Sequence, residues 1–195
     1  MKYIYTRNDL DLISWERMDK FIDKIYSDVS NFLKENRLEI KYIVPIMRGG
    51  GIPAIKLSHM FQVIEILPVQ LKTTENGEDR DILMDLSCVK NKKLSQKECI
   101  LLVEGNHVTG YSANKAVNLI QNQFGKDANI IYISITRDYS YRDSVSNVIY
   151  TTWSMSTNET KELSKEECEK LNINYGLVSI YPWENIEEEL YELNK

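Results

Sequence analysis

The chain has 195 residues, 43% of them hydrophobic and 27% charged, with only eight glycines and four prolines; this balance excludes a fibrous or disordered protein and fits one domain over residues 1–195 with a continuous core. A formal net charge of −5 argues against nucleic acid as a partner, because phosphate-backbone binding needs a clustered basic surface. Charges stand where a signal peptide needs its apolar centre in MKYIYTRNDLDL, no run reaches membrane-spanning length, and Cys88, Cys99 and Cys168 are widely spaced, so a cytoplasmic, reduced protein without a membrane partner is expected.

From Ser14 onward, Trp15, Met18, Phe21, Ile22, Ile25, Val29, Phe32 and Leu33 recur at spacings of three and four. This marks one apolar helix face, with Ser14 as its N-cap and Trp15, Met18 and Phe21 in the core stripe. KYIVPIM then reads as a strand that runs into RGGG and a helix with Pro53 in its first turn. VIEILPVQL reads as a second strand, and the polar stretch 72–85 as a mobile loop. ECILLVEG is a third strand, followed by irregular residues and a helix carrying Ala113, Ala116, Val117 and Ile120, which Gly125 stops. NIIYISI, NVIYTTW and GLVSIYPW are further strands, and NIEEELYELN is a short terminal helix with a solvated acidic face. The polar excursion 156–172 either covers the site, mediates assembly or is a surface ornament. Apolar strands alternating with amphipathic helices predict an α/β fold with a mainly parallel, helix-covered central sheet, in which ligands bind at the carboxyl ends of the strands.

Two loops lie at such ends. Arg48 beside Gly49, Gly50 and Gly51 suits phosphate oxygens, since glycine lets backbone amides approach closely and the guanidinium adds a fixed charge; a plain tight turn is the alternative. In TGYSA, the Thr109 and Ser112 hydroxyls and successive amides at a helix start form an anion site, unless Ser112 is simply an N-cap. GxGxxG and GxxxxGK[ST] are both absent, so the common dinucleotide and P-loop readings lose their motif.

These residues resemble the purine phosphoribosyltransferases of the xanthine-guanine and hypoxanthine type. ISWERMDKFIDKI is similar to that family's leading helix, YIVPIMRGGGIPAIKLSHMF to its strand and pyrophosphate loop, ECILLVEGNHVTGYSANKA to its phosphoribosyl pyrophosphate (PRPP) signature, and YPWE to the end of its base-binding hood. The resemblance implies a type I phosphoribosyltransferase fold with a small hood. It also implies transfer of phosphoribosyl from PRPP to hypoxanthine, guanine or xanthine, with release of pyrophosphate and with magnesium as cofactor. Thr109, Gly110, Tyr111 and Ser112 would then cradle the 5′-phosphate of PRPP or a nucleoside monophosphate. Arg48, Gly49 and Arg80 would hold pyrophosphate, and Arg137 would stand for the lysine that reads the purine oxygen. Tyr181 or Trp183 would stack on the base in place of an aromatic ring near Val178, or else serve as core aromatics.

The match breaks at the acids. The family places two adjacent acids for ribose and metal and a third beside the purine nitrogen; here Glu104, Gly105 and Val108 stand at those places. Only Glu104 remains for magnesium. His107 is either a substitute proton acceptor or a strand-end residue. The expectation is therefore an impaired transferase or, alternatively, a non-catalytic nucleotide-binding or regulatory protein on the same scaffold, with homo-oligomerisation left open.

Overall fold

The computed structural model of the protein describes residues 4–73, 80–89 and 93–195. After a short strand, β1 (Leu10–Leu12), Ser14 starts helix α1 (Trp15–Asn36) as expected: its hydroxyl accepts a hydrogen bond from the Arg17 amide at 3.2 Å, and Arg37 in the left-handed region ends the helix. Met18, Ile22, Ile25 and Val29 form the fully buried stripe, each worth about 1.5–3 kcal/mol of burial. Trp15 departs from that stripe. It is 51% exposed and leans instead on Trp183, ring centres 5.9 Å apart.

The main sheet holds β2 (Glu39–Met47), β3 (Val69–Thr73), β4 (Arg80–Met84), β5 (Glu98–His107), β6 (Ile130–Asp138), β7 (Tyr150–Asn158) and β8 (Asn174–Tyr175) in the order β4-β3-β2-β5-β6-β7-β8. Every pairing is parallel except β3 with β4. Helix α2 (Gly51–Phe61) joins α1 on one face, over Ile43, Leu101, Val103, Ile131 and Ile133. On the other face, α3 (Tyr111–Phe124) packs Ala113, Ala116, Val117 and Ile120 against Val44, Leu102 and Tyr132. Strands covered on both sides become almost wholly apolar, which is why they were legible.

Three expectations change. Of VIEILPVQL only the part from Val69 is strand, since Pro68 interrupts the amide ladder; the earlier residues meet β2 at a single bridge, Ile43 with Ile66. The supposed loop 72–85 contributes to an antiparallel hairpin, with Leu71 opposite Ile82 and Lys72 opposite Asp81, while residues 74–79 lie outside the described residues. Its outer strand leaves Ile82, Leu83 and Met84 exposed, so it lacks the burial pattern that identifies a strand. Lastly, β5 does not stop at Gly105: Asn106 and His107 stay in register with Thr136 and Arg137 of β6, their polar groups bonded across the sheet.

A second, two-stranded sheet pairs β1 in parallel with β9 (Val178–Ile180), and α5 (Ile186–Asn194) follows it. This hood roofs the carboxyl edge of the main sheet. The excursion at 156–172 forms the end of β7 and helix α4 (Lys165–Leu171), which a Ser164–Glu167 capping box starts.

Helix α2 begins in direct backbone contact with β5. A Cβ at Gly50 would lie 2.2 Å from the Val103 carbonyl oxygen and 2.9 Å from that of Ile46, with no flexible side chain to yield. Gly50→Ala is therefore expected to lower unfolding free energy by about 3 kcal/mol or more, measured by urea denaturation; a loss under about 1 kcal/mol would show that α2 can slide off the strand.

Candidate functional site

Because β2, β5 and β6 are parallel, their carboxyl ends bring residues 48–50 and 108–110 to one edge beneath the hood. A cavity of about 240 Å³ opens there, lined among others by Met47, Gly49, Glu104, Asn106, Ser112 and Tyr181. Beside it, towards α5, a second opening of about 480 Å³ is lined by Arg48, Trp183, Glu184, Glu188 and Glu189 among others.

The loop at 108–110 is fixed from behind. Gly110, with φ +78°, is the N-cap of α3, and Ser112 lies inside the first turn rather than capping it. A Cβ on Gly110 would stand 2.4 Å from Ser144 Oγ and 3.1 Å from His107 Cε1, so both its conformation and its surroundings require glycine. Asn114 Nδ2 donates to the carbonyls of Gly110 at 3.0 Å and Ser144 at 2.8 Å. The first turn of α3 carries no acidic residue, leaving the helix start electropositive.

Glu104 is held by the phenol of Tyr132, which donates to its Oε2. Burial, reinforced by that carboxylate, keeps the Tyr132 hydroxyl protonated far above its usual range. Behind it, His107 is 1% exposed. Its Nδ1 lies 2.8 Å from the Tyr132 oxygen, and its Nε2 lies 2.9 Å from the Tyr141 carbonyl and 2.8 Å from Ser144 Oγ. Its ring nitrogens face Tyr132, Tyr141 and Ser144, so the structure places His107 as a buried support behind the Tyr132–Glu104 pair.

Arg137 also turns inward. It is 1% exposed, its Nη1 donates to the Arg142 carbonyl at 2.5 Å and its Nη2 to Thr151 Oγ1 at 2.9 Å. The guanidinium lies 4.7 Å from the centre of the Trp153 ring and 5.0 Å from that of Tyr132. Its place along β6 suited a base-reading group, but flanking aromatic faces draw the cation into the sheet. Burial accordingly pulls its pKa down.

Gly105 has a geometric reason. A Cβ there would stand 3.0 Å from the Gly49 carbonyl carbon and oxygen, so a side chain at 105 would require the loop at 48–50 to give by a few tenths of an ångström. The donor set fits magnesium poorly: Glu104 is the one carboxylate at the expected place, one of its oxygens is bonded to Tyr132, and the described residues contain no metal-holding cluster. Arg48 is exposed at the rim. Arg80 starts β4, and its side chain lies outside what the structure describes.

Tyr181 is 3% exposed and joins hood to sheet through its hydroxyl, 2.6 Å from Thr136 Oγ1. Its ring stacks on Trp183 at 5.0 Å and 10°. Tyr181 thus shows an edge to the cavity while packing as a core aromatic, and Trp183 lines the outer opening. Sequence reasoning missed Asn106 and Glu159. Asn106 accepts from Thr136 Oγ1 at 2.9 Å and donates to Glu159 Oε1 and Oε2 at 3.1 and 3.2 Å. Burial raises the Glu159 carboxyl to about 7 against the hydrogen bond from Asn106. No spacing marks a pair brought together from the ends of β5 and β7.

No family model and no curated protein matches the chain. Among solved structures it is similar to a purine phosphoribosyltransferase from Pyrococcus horikoshii OT3, with TM-score 0.60 and 18% identity over 91% of this chain and 95% of that one. A hypothetical protein from Neisseria gonorrhoeae with bound ppGpp gives TM-score 0.62 at 13% identity, covering 93% of each chain. The xanthine-guanine-hypoxanthine phosphoribosyltransferase of Helicobacter pylori gives 0.58 at 14%, covering 93% and 97%. The chain has the type I phosphoribosyltransferase fold that these structures share. Among the described residues, no helix is long and apolar enough to cross a membrane.

The raised Glu159 carboxyl sets a sign for stability. Between its ordinary value of 4.5 and about 7, the folded state binds more protons than the unfolded state, so this group's contribution is lost as pH rises through that window. Glu159→Gln is expected to match wild type near pH 5 and to exceed it by about 2 kcal/mol at pH 8, read from urea midpoints across the range. A constant difference would show that the carboxyl titrates normally.

Proposed function

We propose that the chain binds a purine nucleoside 5′-monophosphate at the hooded edge, on a phosphoribosyltransferase scaffold whose transfer chemistry is weakened. One observation carries this reading: the acid-free, glycine-opened start of α3 borders the same cavity as Glu104 and Tyr181. The phosphate would rest on the amides of Thr109, Gly110, Tyr111 and Ser112, with the ribose near Glu104 and the base beside Tyr181 and Trp183. The shared fold supports a purine ligand, and one neighbour's bound ppGpp supports a nucleotide.

Residual phosphoribosyl transfer is a second reading, favoured by Glu104 and Arg48 at their expected places. In that reaction a purine nitrogen displaces pyrophosphate from PRPP and its proton must leave. Val108 cannot accept that proton, and His107 has both nitrogens engaged. Loss of such an acceptor typically slows turnover by roughly 10² to 10⁴. Magnesium would supply charge neutralisation for the pyrophosphate, but Glu104 alone gives it a poor seat.

Calorimetric titration with guanosine monophosphate (GMP) and with guanosine tests the binding reading. GMP is expected to bind at least about tenfold more tightly, because a charge-assisted phosphate contact is worth about 1.5–3 kcal/mol. Ser112→Asp keeps a helix-favouring residue in the first turn while placing a negative charge in the cradle, and should remove that advantage. Equal affinity for GMP and guanosine in the wild type would overturn the assignment. Pyrophosphate release from PRPP with hypoxanthine, guanine or xanthine, at a rate typical of an intact acid-base site, would restore the transferase reading.

A further inference from the structure

We infer that the site discriminates against ligands carrying a pyrophosphate beside the sugar, through Glu188 and Glu189 of α5 and the closure of Gly49 on Gly105. This deepens the nucleotide-binding reading and rests on it.

Two separate observations support the inference. The first is steric: Gly49 packs backbone to backbone on Gly105, where a Cβ would come within 3.0 Å of the Gly49 carbonyl group. The loop that would wrap a pyrophosphate lies directly on the strand that would hold the ribose, so a group inserted between Gly49 and Gly105 would have to part them.

The second is electrostatic. Among the described residues, the opening beside Arg48 is lined by three carboxylates, Glu184, Glu188 and Glu189, together with that guanidinium. Glu187, ion-paired with Arg7, and Glu192, 3.7 Å from Lys195 Nζ, join Arg48 around the next opening outward. Glu184 is anchored, accepting the Tyr181 amide at 2.8 Å. The start of α5 is no anion seat either, since Asn185 Oδ1 already accepts from the amides of Glu187 at 3.0 Å and Glu188 at 3.4 Å, and three glutamates occupy its first turn. A pyrophosphate beside Arg48 would also face the carboxylates of Glu188 and Glu189. The phosphate of a 5′-monophosphate, seated on α3 across the cavity, would not approach this rim.

Titrations of the whole chain with GMP and with PRPP, both with magnesium present, test the inference. Wild type is expected to bind PRPP at least about tenfold more weakly than GMP. In the double variant Glu188→Gln, Glu189→Gln, PRPP affinity should rise about three- to tenfold at low salt and by less at high salt, where exposed charges are screened, while GMP affinity stays unchanged. PRPP binding as tight as GMP in wild type, or unchanged PRPP affinity in the variant, overturns the inference and leaves the nucleotide reading standing. Absence of GMP binding removes the nucleotide reading, and this inference with it.

Discussion

The close approach of two backbones organises the molecule. Gly50 sits so near the Val103 carbonyl, and Gly49 so near Gly105, that helix α2 and its leading loop lie directly on the central strand β5. Side chains normally keep the backbones of packed layers well apart, by about 10 Å between stacked sheets. Here the glycines remove that spacer at the carboxyl edge, and the loops at 48–50 and 108–110 come to share one cavity. The same contact that assembles the pocket makes a side chain at position 105 of β5 a tight fit.

A second constraint is the chain of polar groups running from Glu104 through Tyr132 to His107 and the Ser144 hydroxyl. Each member satisfies its neighbour, which is the condition for keeping such groups inside a sheet. Arg137 lies against the same Tyr132 ring, supplying positive charge near the glutamate without a direct ion pair. The carboxylate that faces the cavity is therefore held from below by the protein and has only part of its hydrogen-bonding capacity left for a ligand.

Much of the architecture was legible because burial writes itself into composition. Strands covered on both faces read as apolar runs, and Met18, Ile22, Ile25 and Val29 on α1 keep helical spacing because one face alone is covered. The hairpin of β3 and β4 was hidden for the converse reason: its outer strand exposes Ile82, Leu83 and Met84 and carries no alternation of burial. The positions of Arg48, Glu104, Ser112 and Tyr181 at one edge were legible from strand ends. Side-chain direction was not. His107 and Arg137 occupy suitable places along their strands yet turn inward, towards aromatic and hydroxyl partners that only the fold brings near. Asn106 and Glu159 meet across 53 residues, a separation that leaves no local mark.

The roof of the cavity joins opposite parts of the chain. Leu10 pairs with Val178 and Leu12 with Ile180, Tyr5 exchanges hydrogen bonds with Asn194, and Arg7 forms an ion pair with Glu187. Contacts between such distant segments close late, because the entropy of a long loop is lost before the contact forms. During synthesis, β1 must wait while the main sheet is made, and Leu10 stays unsheltered until β9 emerges. The pocket is consequently among the last parts of the molecule to form, and a ligand that bridges hood and sheet would bind the finished chain in preference to any partly folded one, pulling the final folding step to completion by mass action.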